Sequence, residues 1–197
     1  GGARVNYNAS LTPVMQKGTV YRVTVDGLLG GHSGAEIDKE RGNAICILGR
    51  AMKELEEAGL SIALCNIDGG LADNAIPRQA EAVFLVTGYK GNGEETDILE
   101  KVMEKLGEGL ATEYGKKDPG VRLQTKLLDT EEKMALSEED SRRLVNLICM
   151  LPYGVQAMSS SMKGLVETSL NPGVISLKQG QLHVGISVRS SVDSAKQ

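Results

Sequence analysis

Runs of β-branched and aliphatic residues bounded by glycine recur along this chain more often than helical stretches do, and the connections between them are short. Thr19–Val25 alternates and is rich in Val and Thr, the mark of a strand. Leu60–Ile67, closed by Gly69-Gly70, predicts a buried strand, and Ala82–Thr87 another. Val121–Leu128 follows, its start blurred by Pro119-Gly120. Three more predicted strands, Gly164–Leu170, Gly173–Leu177 and Leu182–Arg189, finish the chain, the last two joined by a tight turn over Lys178-Gln179-Gly180-Gln181. Helical spacing occurs in three places. Ala44, Leu48, Ala51 and Leu55 share one face up to a stop at Gly59. Ser33-Gly34-Ala35-Glu36 offers a capping box for that helix, while Gly42 argues for a start near Asn43. Asp97–Leu110 places Ile98, Val102, Leu106 and Leu110 together, and Ser137-Glu138-Glu139-Asp140 opens a third helix through Leu144, Leu147, Ile148 and Leu151. So few helices among closely connected strands imply a mostly antiparallel sheet covered on one face.

The order is β-α-β-β-α, then β-α-β-β-β, a pattern of two βαββ-like halves. Lys116-Lys117-Asp118-Pro119-Gly120 is the one candidate boundary, and it is short. The 197 residues are therefore expected to form a single domain, 1–197, with possible subdomains 1–117 and 118–197. Aromatics amount to 3%, with one Phe and no Trp, so the core must be aliphatic. A net charge of −4 without any basic cluster argues against nucleic-acid binding, which needs concentrated Lys and Arg. No apolar run approaches the roughly 20 residues of a membrane span, and no signal peptide is visible. Cys46, Cys65 and Cys149 are odd in number and lack paired spacing, so buried free thiols in a reducing compartment are expected.

Reactive motifs are scarce. Two histidines cannot supply a His-rich metal site, and the acidic residues, such as Glu54, Glu56, Glu57, Glu138, Glu139 and Asp140, fall mainly on predicted exposed helix faces. No HExxH occurs. Gly31-His32-Ser33-Gly34 lacks the spacing of a nucleophile elbow, Gly27-Leu28-Leu29-Gly30-Gly31 lacks that of a dinucleotide loop, and Ser159-Ser160-Ser161 is read as a polar turn. Three residues stand apart. His32 is flanked by small residues that leave its ring accessible, Asn74 follows a Gly-Gly turn, and Arg189 sits near the end of the last predicted strand. Together a His, an Asn and an Arg could bind a carbonyl oxygen and a carboxylate. Each also has a plainer reading: a loop histidine satisfied by backbone, a turn asparagine bonding its own backbone, and a surface ion pair.

The same residues carry a resemblance. VDGLLGGHSGAEI from Val25, GNA from Gly42, GGLADNAIPRQA from Gly69, LPYGV from Leu151, KGLVETSLNPGVI from Lys163 and VRSSVDS from Val188 occur in this order. Together they resemble the lid domain of the bacterial aminoacyl-histidine dipeptidases of the PepD type, also called Xaa-His or cytosol non-specific dipeptidases. These belong to the dizinc metallopeptidase clan with carboxypeptidase G, DapE and PepV. The resemblance covers nearly the whole chain. It implies a ferredoxin-like α/β sandwich, about twice the size of the simplest lids, with an eight-stranded sheet and helices on one face. It also implies that the lid is excised from a larger cytoplasmic enzyme. The two zinc ions, the bridging Asp and the general-base Glu would belong to a catalytic domain absent from this chain, so the lid alone is expected to be inactive and to bind no cofactor. Gly1-Gly2 resembles the glycine pair that precedes the family's lid, and Ser190 to Gln197 would lead back into the catalytic domain.

By the same resemblance, His32 matches the lid histidine that stabilises the oxyanion of the tetrahedral intermediate, in dimeric members on the partner subunit's site. Asn74 matches the lid asparagine that binds substrate near that centre, and Arg189 resembles the arginine that anchors the substrate's C-terminal carboxylate. The expected partners are a dipeptide, the protein's own catalytic domain and a second copy in a homodimer, for which an unpaired edge strand would serve. The competing expectation is a stand-alone ferredoxin-like ligand-binding or regulatory module without catalysis.

Overall fold

The computed structural model describes residues 1–89, 93–192 and 194, with 129–131 described by backbone alone; Asp193, within the motif from Val188, and 195–197 lie outside the described residues. In chain order the elements are β1 (Gly2–Ser10), β2 (Val14–Asp26), β3 (Gly31–His32), α1 (Ala44–Glu57), β4 (Ser61–Gly69), β5 (Ala75–Ile76), β6 (Ala80–Thr87), α2 (Glu94–Tyr114), β7 (Arg122–Ala135), α3 (Glu138–Met150), β8 (Gly154–Met158), β9 (Val166–Lys178) and β10 (Gln181–Ser190). Eight strands form one sheet in the order β1-β10-β9-β4-β6-β2-β7, with β8 also paired to β9. Each of these pairings is antiparallel. The stretch β2-α1-β4-β6-α2-β7, in sheet order β4-β6-β2-β7, is a ferredoxin-like core. To it β9, β10, β1 and β8 add an extension through the β4–β9 pairing.

The first helix starts at Asn43, not Ser33. Asn43 is extended, and its Oδ1 accepts the N–H groups of Ile45 (2.9 Å) and Cys46 (3.3 Å), two donors the helix itself leaves unpaired. Ser137 caps α3 in the same way, accepting from Asp140 N at 3.0 Å. On α2 the buried side chains are Glu95, Leu99, Met103, Leu106 and Leu110; the expected Ile98 and Val102 are only partly buried. A strict four-residue spacing drifts by about 40° per step from a 3.6-residue helix, so that stripe meets the core only at its C-terminal end.

All three helices pack on one sheet face. Their apolar residues share a cluster with Tyr21, Val23, Val25, Leu64, Phe84 and Val86. Tyr21 stacks on Phe84 with ring centroids 6.1 Å apart, and nearly everything around them is aliphatic. The opposite face holds a smaller cluster, Val20, Ala63, Val83, Leu85 and Ala135, to which no helix contributes. Ala135 reaches it because the end of β7 turns across the sheet, where Leu136 N–H donates to Leu64 O at 2.8 Å.

Several details differ from the sequence pattern. The strands expected at 164–170 and 173–177 are one strand, β9, because Gly173 is absorbed as a bulge opposite Gly185 and Ile186. The strand expected after the candidate boundary, β7, pairs along β2 from Asp26 to Val14 and so completes the first group of elements. Cys149 is exposed and Cys46 and Cys65 are only partly buried, Cys65 against the smaller apolar cluster.

Candidate functional site

The short strands β3 and β5 pair only with each other, His32 opposite Ala75. This small ribbon sets His32 beside Asn74, and Ser33 N–H donates to Asn74 O at 2.9 Å. Arg189 arrives from β10. A Cβ built on Gly34 would lie 2.7 Å from Arg189 Cζ and Nη1, so the guanidinium rests directly on the turn after His32. The three residues singled out from the sequence thus come from different parts of the chain to one place. A groove lined by Leu28, Leu29, Leu71, Pro77 and Arg78 runs beside them without including any of the three.

The plainer reading of His32 holds for one edge of its ring. Nδ1 accepts the backbone N–H groups of Gly34 (3.2 Å) and Ala35 (3.0 Å), which requires an unprotonated Nδ1. The neutral ring then carries its proton on Nε2, and the side chain is exposed. Asn74 is exposed as well. Arg189 makes no ion pair among the described residues, and its Nε is buried without a hydrogen-bond partner among them, as is Ser33 Oγ. A desolvated guanidinium N–H with nothing to bond is costly unless something supplies an acceptor. The arrangement offers a neutral imidazole donor, an amide and a guanidinium, a set suited to an oxyanion and a carboxylate.

The turn is itself well held. Glu36 Oε2 accepts His32 N–H at 3.0 Å, while Oε1 meets Lys39 Nζ at 2.6 Å. The Lys39 hydrogen bond first, then that of His32 and the neighbouring charges, lower the Glu36 carboxyl to about 2. Tyr153, from the LPYGV motif, donates to Arg41 O at 2.7 Å, and burial raises its hydroxyl far above the usual range. A residue not singled out by sequence closes the loop. Asp118 is fully buried, and its two carboxylate oxygens accept Leu29 N–H and Gly42 N–H, each at 2.6 Å, from the two ends of the segment that carries His32. Its only signal in the sequence was an acid beside Pro119-Gly120, which reads equally well as a solvated turn.

No group of three or more His, Cys, Asp or Glu among the described residues could hold a metal ion, so these residues do not fit a metal centre. No helix among them is long and apolar enough to cross a membrane.

Comparison with known proteins places this geometry. Residues 23–116 match the family described as the peptidase dimerisation domain. The chain is 35% identical over 178 residues to the cytosol non-specific dipeptidase of Escherichia coli (strain K12), a match covering 89% of this chain and 35% of that protein. Among solved structures, the aminoacylhistidine dipeptidase from Vibrio alginolyticus superposes with a TM-score of 0.88 and 31% identity, over 100% of this chain and 39% of that one. The chain therefore spans little more than a third of the length of these relatives.

Proposed function

We propose, from the match of residues 23–116 to the peptidase dimerisation domain family, that the chain is the lid of a cytoplasmic zinc dipeptidase of broad, Xaa-His-cleaving specificity. The two zinc ions and the hydrolytic chemistry belong to a catalytic domain that this chain does not supply. The lid contributes His32, Asn74 and Arg189 to the dipeptide's site, and it carries the contact of a homodimer. The domain family and the dipeptidase kinship favour this reading over a free-standing binding module.

One observation carries the assignment of roles. The backbone of residues 34 and 35 occupies Nδ1 of His32, which fixes the exposed ring as an Nε2–H donor. Such a donor, held in place before the reaction, stabilises a developing oxyanion without first giving up a proton. Arg189, resting on the same turn, presents a planar fork for the substrate carboxylate. In the full-length parent, His32→Ala is expected to lower kcat by about 10²–10³ while metal content holds; an unchanged kcat refutes the role. Arg189→Ala is expected to raise KM for dipeptides with a free carboxylate and to spare amidated ones. Equal losses for both substrates remove the anchor.

A further inference from the structure

Asn171 lies in β9, is 1% exposed, and does nothing for the strand ladder with its side chain. Its Nδ2 donates to Asp73 O at 3.0 Å and to Ala75 O at 2.9 Å, the two carbonyls that flank Asn74. Carbonyls only accept, so the amide has one possible orientation, with Oδ1 turned the other way. There Oδ1 accepts Asn43 Nδ2 at 3.2 Å, and Asn43 also donates to Pro172 O at 2.9 Å while capping α1. The backbone beside it is equally close. A Cβ on Gly173 would lie 2.4 Å from Asp73 Cα, so the bulged stretch of β9 is the floor on which the Asn74 turn rests. Through Ser33 N–H and Asn74 O the same chain of bonds reaches the His32 turn.

We infer that Asn171 is a positioning residue for Asn74, and through the β3–β5 ribbon for His32. It holds the turn by both neighbouring carbonyls, so that the exposed Asn74 side chain meets substrate at a fixed height. An amide is the side chain suited to this, since it can donate twice to one loop and accept once from a helix cap. The inference rests on the dipeptidase-lid reading for its catalytic consequence, but not for its geometry.

The test uses the full-length parent. Asn171→Asp keeps the acceptor for Asn43 and removes both donors to the Asn74 turn; Asn171→Ala, should the first variant not fold, removes the donors without burying a charge and leaves Asn43 its bond to Pro172 O and its cap of α1. The first readout is amide hydrogen exchange at Ser33 and Ala75. Exchange at least tenfold faster in either variant, with α1 amides unchanged, is the expected result. Unchanged exchange at Ser33 and Ala75 overturns the inference whatever the activity does. The second readout is a kinetic cycle with Asn74→Ala. If Asn171 acts through Asn74, its replacement lowers kcat/KM by about the same factor as Asn74→Ala and adds little in that background, because residues acting as one unit are not additive. Multiplying losses overturn the positioning role. Faster exchange together with an inert Asn74→Ala would instead leave the geometry standing and remove the proposed function of the site.

Discussion

The ferredoxin-like core and the extension attached to it share one sheet but not one manner of construction. In the core, successive residues of β2 and β6 are buried on opposite faces, Val20 beside Tyr21 and Leu85 beside Val86. In the extension, β1 has a partner on one side only and is largely exposed on both faces, with Val5 at 48% and Tyr7 at 49%. The candidate site lies where the two meet. His32 and Asn74 come from loops of the core, Arg189 from the extension. The core thus supplies the imidazole and the amide, and β10, paired on both sides by β1 and β9, delivers the arginine to them.

The contrast is most easily broken at its strong end. Phe84→Ala removes a ring buried completely in the core and stacked on Tyr21. It should cost about 3–5 kcal/mol in denaturant unfolding. Next comes Asp118→Ala, which orphans the N–H groups of Leu29 and Gly42. With hydrogen bonds to a charged acceptor worth about 1.5–3 kcal/mol each, a loss on the order of 3 kcal/mol is expected, together with faster exchange of those two amides. Tyr7→Ala in β1 should change stability by no more than about 0.5 kcal/mol. A loss approaching that of Phe84→Ala would mean the extension is packed as tightly as the core.

The smallest effect is electrostatic and local. Glu36 in the folded chain titrates at about 2, below its ordinary 4.5. Its contribution to holding His32 N–H is therefore complete above 4.5 and is lost as pH falls from there through about 2. Protection of the His32 amide should stay level from about pH 7 to 5 and decline only below that window. A decline already at neutral pH would point to another group.

Much of this architecture was written locally. The cap at Ser137 and the hairpin turn between Lys178 and Gln181 depend on residues within four positions of one another and are where the pattern puts them, while of the two starts the pattern offers for α1 the structure takes Asn43. What local pattern hides is partnership. Pro172-Gly173 reads as a break, and only the neighbouring β10 turns it into a bulge. β1 has alternating apolar residues, but nothing near it in sequence announces that β10 will be its partner. The site divides the same way. His32, Asn74 and Arg189 can be singled out by residue type and resemblance. Asp118 and Asn171 act across 76 and more residues of chain on backbone groups, which leave no trace in a one-dimensional pattern.

The pairing of β1 with β10 joins Gly2 to Arg189 and Ser10 to Gln181. Contacts of such long sequence separation carry the largest loop-closure cost and form slowly. A ribosome makes β1 well before β10, so Val5 and Tyr7 wait, open to water, until the strand that pairs with them has been made.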